Sequence, residues 1–201
     1  MALKEKVLKL MDLNALFQSE FDRHQTAVDQ TRQQLADPFV SWVNLSLTAL
    51  KNGGKIVFFG NGGSASDAQH LATELTVRYV KNRPAMAAIA LTTDTSALTA
   101  IGNDFGFEDL FSRQVEALCT DKDVVIGIST SGTSPNVIKG IKAARAIGAK
   151  TVGLGGRDGG VLPDLCDISL IIPHDETARI QEMHITIGHA FCQALENQIE
   201  S

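Results

Sequence analysis

Two rhythms of apolar residues alternate along most of the chain. Five short runs are nearly unbroken: Lys55-Ile56-Val57-Phe58-Phe59, Ala87-Ala88-Ile89-Ala90-Leu91, Asp123-Val124-Val125-Ile126-Gly127-Ile128, Thr151-Val152-Gly153-Leu154 and Ile168-Ser169-Leu170-Ile171-Ile172. Their length predicts strands, and their lack of polar alternation predicts burial on both faces. Between them apolar residues return every three or four positions, as at Ala68, Leu71, Ala72 and Leu75, which predicts helices. Further helices are expected from about residue 96, from Pro135 to about residue 148, and over about residues 177–196. This alternation predicts an α/β fold: a doubly wound, mostly parallel five-stranded sheet flanked by helices, with ligands at the carboxyl ends of the strands.

The first quarter of the chain has only the helical rhythm. Over residues 13–36, Leu16, Phe17, Phe21, Ala27, Val28 and Leu35 stand among polar residues. A helix ahead of the first strand belongs to no strand–helix–strand unit, so it is expected to pack on another subunit or on the last helix. Asp37-Pro38 predicts a restart, with Asp37 as N-cap and Pro38 first in a helix that runs to about Lys51 and stops at Asn52-Gly53-Gly54. The chain therefore reads as one domain over residues 1–201, with a helical extension over about 1–52 and an α/β core over about 53–201.

Charge and composition narrow the classes. A net charge of -5 argues against a nucleic-acid-coating surface. No apolar run approaches the ~18 residues of a membrane span. Met1-Ala2-Leu3-Lys4-Glu5-Lys6 lacks the apolar core of a signal peptide. Cys119, Cys166 and Cys192 show no paired spacing, as expected of reduced residues in a cytosolic protein.

Three stretches carry candidate chemistry. In Gly60-Asn61-Gly62-Gly63-Ser64-Ala65-Ser66-Asp67-Ala68-Gln69-His70-Leu71-Ala72-Thr73-Glu74, a glycine-rich turn joins the first strand to a helix. Such a turn aims N–H groups at an anion above the helix N-terminus, where Ser64 or Ser66 can cap the helix or bind the anion. His70 and Glu74 share a helix face and can hold a divalent metal, act as an acid–base pair, or form an exposed ion pair. The turn is neither a dinucleotide fingerprint nor a Walker loop, because the glycine spacing and the Gly-Lys-Ser/Thr triplet are both missing. In Ser129-Thr130-Ser131-Gly132-Thr133-Ser134, five hydroxyls precede Pro135; one would suffice as a cap, and the set can surround a phosphate without a lysine. On the last helix, Arg179-Ile180-Gln181-Glu182-Met183-His184-Ile185-Thr186-Ile187-Gly188-His189 places two histidines on a largely apolar surface. Each suits a hydrogen-bonded core position or a ligand. Gln181 and His189 are ~12 Å apart along the helix, so they reach one metal only near the limit of their side chains.

Taken together, these stretches and Gly102-Asn103-Asp104 resemble the bacterial phosphoheptose isomerases, a sugar isomerase (SIS) domain family, over nearly the whole chain. The resemblance implies conversion of sedoheptulose 7-phosphate to D-glycero-D-manno-heptose 7-phosphate, the first step of ADP- or GDP-heptose synthesis for the lipopolysaccharide core. It implies one zinc per subunit on His70, Glu74, Gln181 and His189, with Glu74 and His189 as the catalytic acid–base pair. It further implies sugar contacts from Asn61, Gly62, Gly63, Asn103, Asp104, Glu74 and Gln181, and phosphate contacts from Ser64, Ser129, Thr130, Ser131 and Ser134. A cytoplasmic homotetramer is expected, with active sites at subunit boundaries. Ala178 departs from the acid that some members carry before the Arg-Ile-Gln run. The alternative is a non-catalytic SIS-domain scaffold that associates with a replication initiator; the presence of both Glu74 and His189 favours the enzyme.

Overall fold

All five apolar runs form strands, and every strand pair is parallel. The computed structural model describes residues 12–199, so the expectation for Met1 to Lys6 lies outside the described residues. The order is α1 (Leu13–Gln34), α2 (Ala36–Lys51), β1 (Ile56–Gly60), α3 (Gly63–Thr76), β2 (Ala88–Ala90), α4 (Thr95–Asp104), a 3-10 turn (Phe107–Asp109), α5 (Ser112–Leu118), β3 (Val124–Ile128), α6 (Pro135–Ala146), β4 (Lys150–Gly156), α7 (Leu162–Leu165), β5 (Ile168–Ile172) and α8 (Thr177–Ile199). The strands stand in the order β2-β1-β3-β4-β5, with Val57 opposite Ile89 on one side and Val125 on the other.

Side chains alternate across the sheet. Ile56, Phe58, Val124 and Ile126 point into a core shared with α2, α3 and α8. Val57, Phe59 and Val125 point into a second core with Phe111, Val115, Val137 and Ile141. Trp42 of α2 stacks on Phe191 of α8 at 3.8 Å between ring centroids, which fixes the helical extension to the last helix. Arg179 of α8 does the same for α1: it donates to the Glu20 carbonyl at 2.7 Å and pairs with Glu182 at 2.6 Å. The outer side of α1 leaves Leu13, Phe17 and Phe21 exposed.

Asp37 does not cap α2. The helix begins two residues earlier, at Ala36, with Leu35 at the N-cap and no side-chain cap bond. Leu35 also closes α1, since its N–H bonds the Thr31 carbonyl, so buried Leu35 alone links the two helices. Pro38 is tolerated within the first turn, where N–H groups have no helical partner. α5, α7 and the 3-10 turn show no periodic signal because they are too short to carry one. β2 contracts to three residues at the sheet edge, and β4 extends to Gly156. Among the described residues no helix is long and apolar enough to cross a membrane.

Candidate active site

β1 and β3 are neighbours, but the chain leaves them in opposite directions. β1 leads into α3 on one face of the sheet, and β3 leads into α6 on the other. A crevice must open between the two departing turns, at the carboxyl ends of the strands. It encloses about 290 Å³ and is lined by Asn61, Gly62, Gly63, Ser64, Ser129, Thr130, Ser134, Thr177 and Gln181, with Ile128 at its floor. The first residues of α3 and α8 and the N-cap of α6 all border it. Three helix dipoles therefore favour an anion there.

Several devices hold the cradle in shape. Gly62 takes a φ of +57° and serves as N-cap of α3 with no side-chain cap bond, so neither Ser64 nor Ser66 caps that helix. A Cβ on Gly63 would collide with the Gln181 amide. Gly132 has a φ of +65°, and a Cβ there would strike the Gly159 carbonyl. Ser129 and Ser134 share a hydrogen bond of 3.0 Å across the serine turn. Ser131 instead pairs with Thr133 at 2.9 Å and does not line the crevice. Asn61 and Asn136 exchange two amide hydrogen bonds of 2.8 Å, tying the turn after β1 to the start of α6. The motif reading had no place for Asn136; its position just after Pro135, facing the other turn, is set only by the sheet order.

α3 and α8 run side by side in the same direction. Gly63 meets Gln181, and further along Leu71 meets Gly188 and His70 meets His189. His70 Nε2 lies 2.8 Å from His189 Nε2, and Glu74 Oε1 stands 3.5 Å from His70 Nε2. The Tyr79 ring sits 5.7 Å from the His189 ring. Behind them, buried Glu196 accepts from the N–H groups of Tyr79, Val80 and Lys81 and from Arg83 Nε, while Arg83 donates to the Glu74 and Leu75 carbonyls. This clamp fixes the chain leaving α3.

Asp67 shares the His70 face, one turn toward the cradle. Burial pushes its carboxyl up to about 6, against the opposing pull of His70, and its Oδ2 has no partner. The i, i+3 spacing to His70 is the signal that would have singled it out. His184 is a core residue: it is wholly buried, donates Nε2–H to the Gly155 carbonyl at 2.9 Å, and is pushed down to about 4 by that burial. Asn103 and Asp104 end α4 away from the cradle lining; they bond each other at 2.7 Å, and Asp104 lines a separate cavity of about 550 Å³ beside β2, α4 and α5.

The donor chemistry of the cluster fits a zinc ion. Among the described residues no group of three His, Cys, Asp or Glu side chains stands so that it could hold a metal ion as placed. Yet two imidazole nitrogens face each other across 2.8 Å with a carboxylate beside them, and only a proton or a cation between the nitrogens removes the repulsion of their lone pairs. Gln181 packs at the cradle end of α8, against Gly63.

Known proteins share this fold. The chain matches the SIS domain family over residues 21–156. It is 53% identical over 180 residues to the phosphoheptose isomerase of Aliarcobacter butzleri, covering 90% of this chain and 95% of that protein. It is 55% identical over 181 residues to phosphoheptose isomerase 1 of Campylobacter jejuni, covering 90% and 97%. The solved structure of phosphoheptose isomerase GmhA from Neisseria gonorrhoeae superposes with a TM-score of 0.88 at 46% identity, over 92% of this chain and 99% of that one.

Proposed function

This chain belongs to the phosphoheptose isomerase family of SIS-domain proteins, and we infer that it converts sedoheptulose 7-phosphate to D-glycero-D-manno-heptose 7-phosphate. The observation that carries this reading is the parallel packing of α3 and α8. It puts an anion cradle at one end of the helix pair and a histidine–carboxylate cluster further down. Gly63 and His70 are about two turns apart, a rise of ~10 Å. A seven-carbon sugar with its phosphate in the cradle is long enough to bring its first two carbons to the cluster.

The reaction moves a proton between those carbons through an enediol. Glu74 takes the proton from C1 and returns it at C2, while His189 exchanges protons with the two oxygens. Ser64, Ser129, Thr130 and Ser134 hold the phosphate, whose binding energy orients the remote carbons. Asn61, Gly62, Gly63 and Gln181 border the sugar. His70, Glu74 and His189, with Gln181 as fourth ligand, would hold zinc, which when bound polarises the carbonyl oxygen as a Lewis acid. No observation favours the scaffold reading. Turnover of sedoheptulose 7-phosphate by the zinc-loaded protein is the test, and its absence overturns the isomerase. Zinc found by elemental analysis, together with a melting temperature lowered by chelator and restored by zinc, supports the metal; no change on either treatment removes it.

The homotetramer is part of the same proposal. Leu13, Phe17 and Phe21 at 71%, 59% and 59% exposure offer an apolar face on α1 that one chain leaves uncovered. Asn103 and Asp104 stand outside the cradle of their own chain, so a subunit boundary is what would bring them to substrate. Light scattering that gives a monomer at micromolar concentration overturns this. Three free cysteines suit the reducing cytoplasm, where we place the protein.

A further inference from the structure

A second glycine-rich turn, Gly155-Gly156-Arg157-Asp158-Gly159-Gly160, borders the cradle, and the mechanism above does not use it. It packs on the serine turn: Val161 N–H donates to the Gly132 carbonyl at 3.2 Å, and a Cβ on Gly160 would stand 2.6 Å from that oxygen. The two turns form one rim. In it sits Arg157 with a φ of +60°, the only non-glycine among the described residues in the left-handed region. Glycine would adopt this backbone freely, whereas an arginine is strained there. Strain of this kind is retained where the side chain has a use.

The side chain reaches the start of α8, at the edge of the cradle. Arg157 Nε donates to the Asp175 carbonyl at 3.3 Å, and Nη2 lies 3.5 Å from Thr177 Oγ1, at the long limit of a hydrogen bond. Thr177 lines the crevice. Asp158 is turned away and accepts from Gly160 N–H at 3.0 Å. Among the described residues no carboxylate pairs with the Arg157 guanidinium. Arg179, on the same helix turn as Thr177, is the opposite case: it is buried and paired with both Glu20 and Glu182. The crevice lining itself contains hydroxyls, amides and glycines but no lysine or arginine. A phosphate dianion there meets partial charges from helix ends, and the Arg157 guanidinium is one contact away, through Thr177.

We propose that Arg157 is a further substrate-binding residue, whose guanidinium swings from Thr177 onto the sugar phosphate and closes the cradle over it. A planar fork of N–H donors matches phosphate oxygens, and an exposed arginine can change rotamer without disturbing the core. The proposal rests on the reading of the cradle as the phosphate site.

Steady-state kinetics and melting of Arg157→Asn, Arg157→Lys and Ser134→Ala test it. Asparagine tolerates the left-handed backbone, so it removes the charge without adding strain. Arg157→Asn is expected to raise KM for sedoheptulose 7-phosphate by about tenfold, with a smaller effect on kcat, and to weaken inhibition by inorganic phosphate to a similar degree. Its melting temperature stays the same or rises, and Arg157→Lys retains most of the affinity. A KM that rises in Ser134→Ala but not in Arg157→Asn overturns the Arg157 inference alone. Equal losses in the Asn and Lys variants with lowered melting reduce the residue to a structural role. No rise in any variant overturns the cradle reading beneath it.

Discussion

The two ends of the α3–α8 pair are built by different means. The cradle is assembled largely from turns that are each contiguous in sequence, and its walls are in place before substrate arrives: Ser129 is bonded to Ser134, Asn61 to Asn136, and glycines occupy positions where a side chain would collide. The histidine–carboxylate cluster is assembled from residues 119 apart, and His70 remains 46% exposed in its side chain. Each end also has its own buried anchor, His184 on the Gly155 carbonyl behind the cradle and Glu196 on Arg83 behind the cluster. An anion site can be prefabricated from backbone and hydroxyls. Proton transfer needs side chains left uncommitted, and these are supplied by long-range packing.

If that division holds, Glu74→Gln separates the ends most sharply. Turnover should fall ~10²–10⁴-fold while KM changes little, since the cradle is untouched. Assays at saturating zinc, with metal content measured in the same sample, divide lost basicity from lost metal. A raised KM with wild-type turnover would place Glu74 in binding and break the comparison.

Glu196→Ala attacks the anchor behind the cluster. It strands Arg83 as a buried charge and frees the N–H groups of Tyr79, Val80 and Lys81, so unfolding free energy should drop by ~3–5 kcal/mol. Urea titration measures it, and a loss below ~1 kcal/mol would mean the clamp is dispensable.

The anchor behind the cradle shows itself through pH. His184 is held near 4 by burial, while the unfolded side chain titrates near 6.5. Below the unfolded value the unfolded state binds the extra proton, so the stability contribution is full above about pH 6.5 and is lost as pH falls toward 4. The loss attributable to His184 should reach about 3 kcal/mol. Urea titrations between pH 7 and 4.5 should show a shallower acid slope in His184→Gln than in wild type, and identical slopes would contradict the assignment.

The smallest effect is expected from the cradle's own hydroxyls. Ser134→Ala should weaken substrate binding by ~1.5–3 kcal/mol, seen as a raised KM, with melting nearly unchanged. A lowered kcat at unchanged KM would say that the cradle takes part in the chemistry rather than in orientation.

Much of this was legible in the chain because its causes are local. Unbroken apolar runs foretell strands covered on both faces, a glycine-rich turn before an amphipathic helix foretells an anion site, and Pro135 opens α6 as its fixed φ requires. Local rules also misled locally: Asp37-Pro38 has the form of a cap and first turn, yet the boundary falls two residues earlier, at buried Leu35.

By itself the sequence determined the five strands, their parallel alternation with helices, the two anion-binding turns and the residue types fit for proton transfer, because each depends on neighbours within a few positions. The tertiary structure decided what those residues meet. The strand order put the two turns on either side of one crevice, the parallel docking of α3 and α8 brought His70 to His189 and Gln181 to Gly63, and the rim turn brought Arg157 to Thr177. Such pairings depend on how whole elements pack, and helix and strand periodicity is the same for any partner that covers the apolar face.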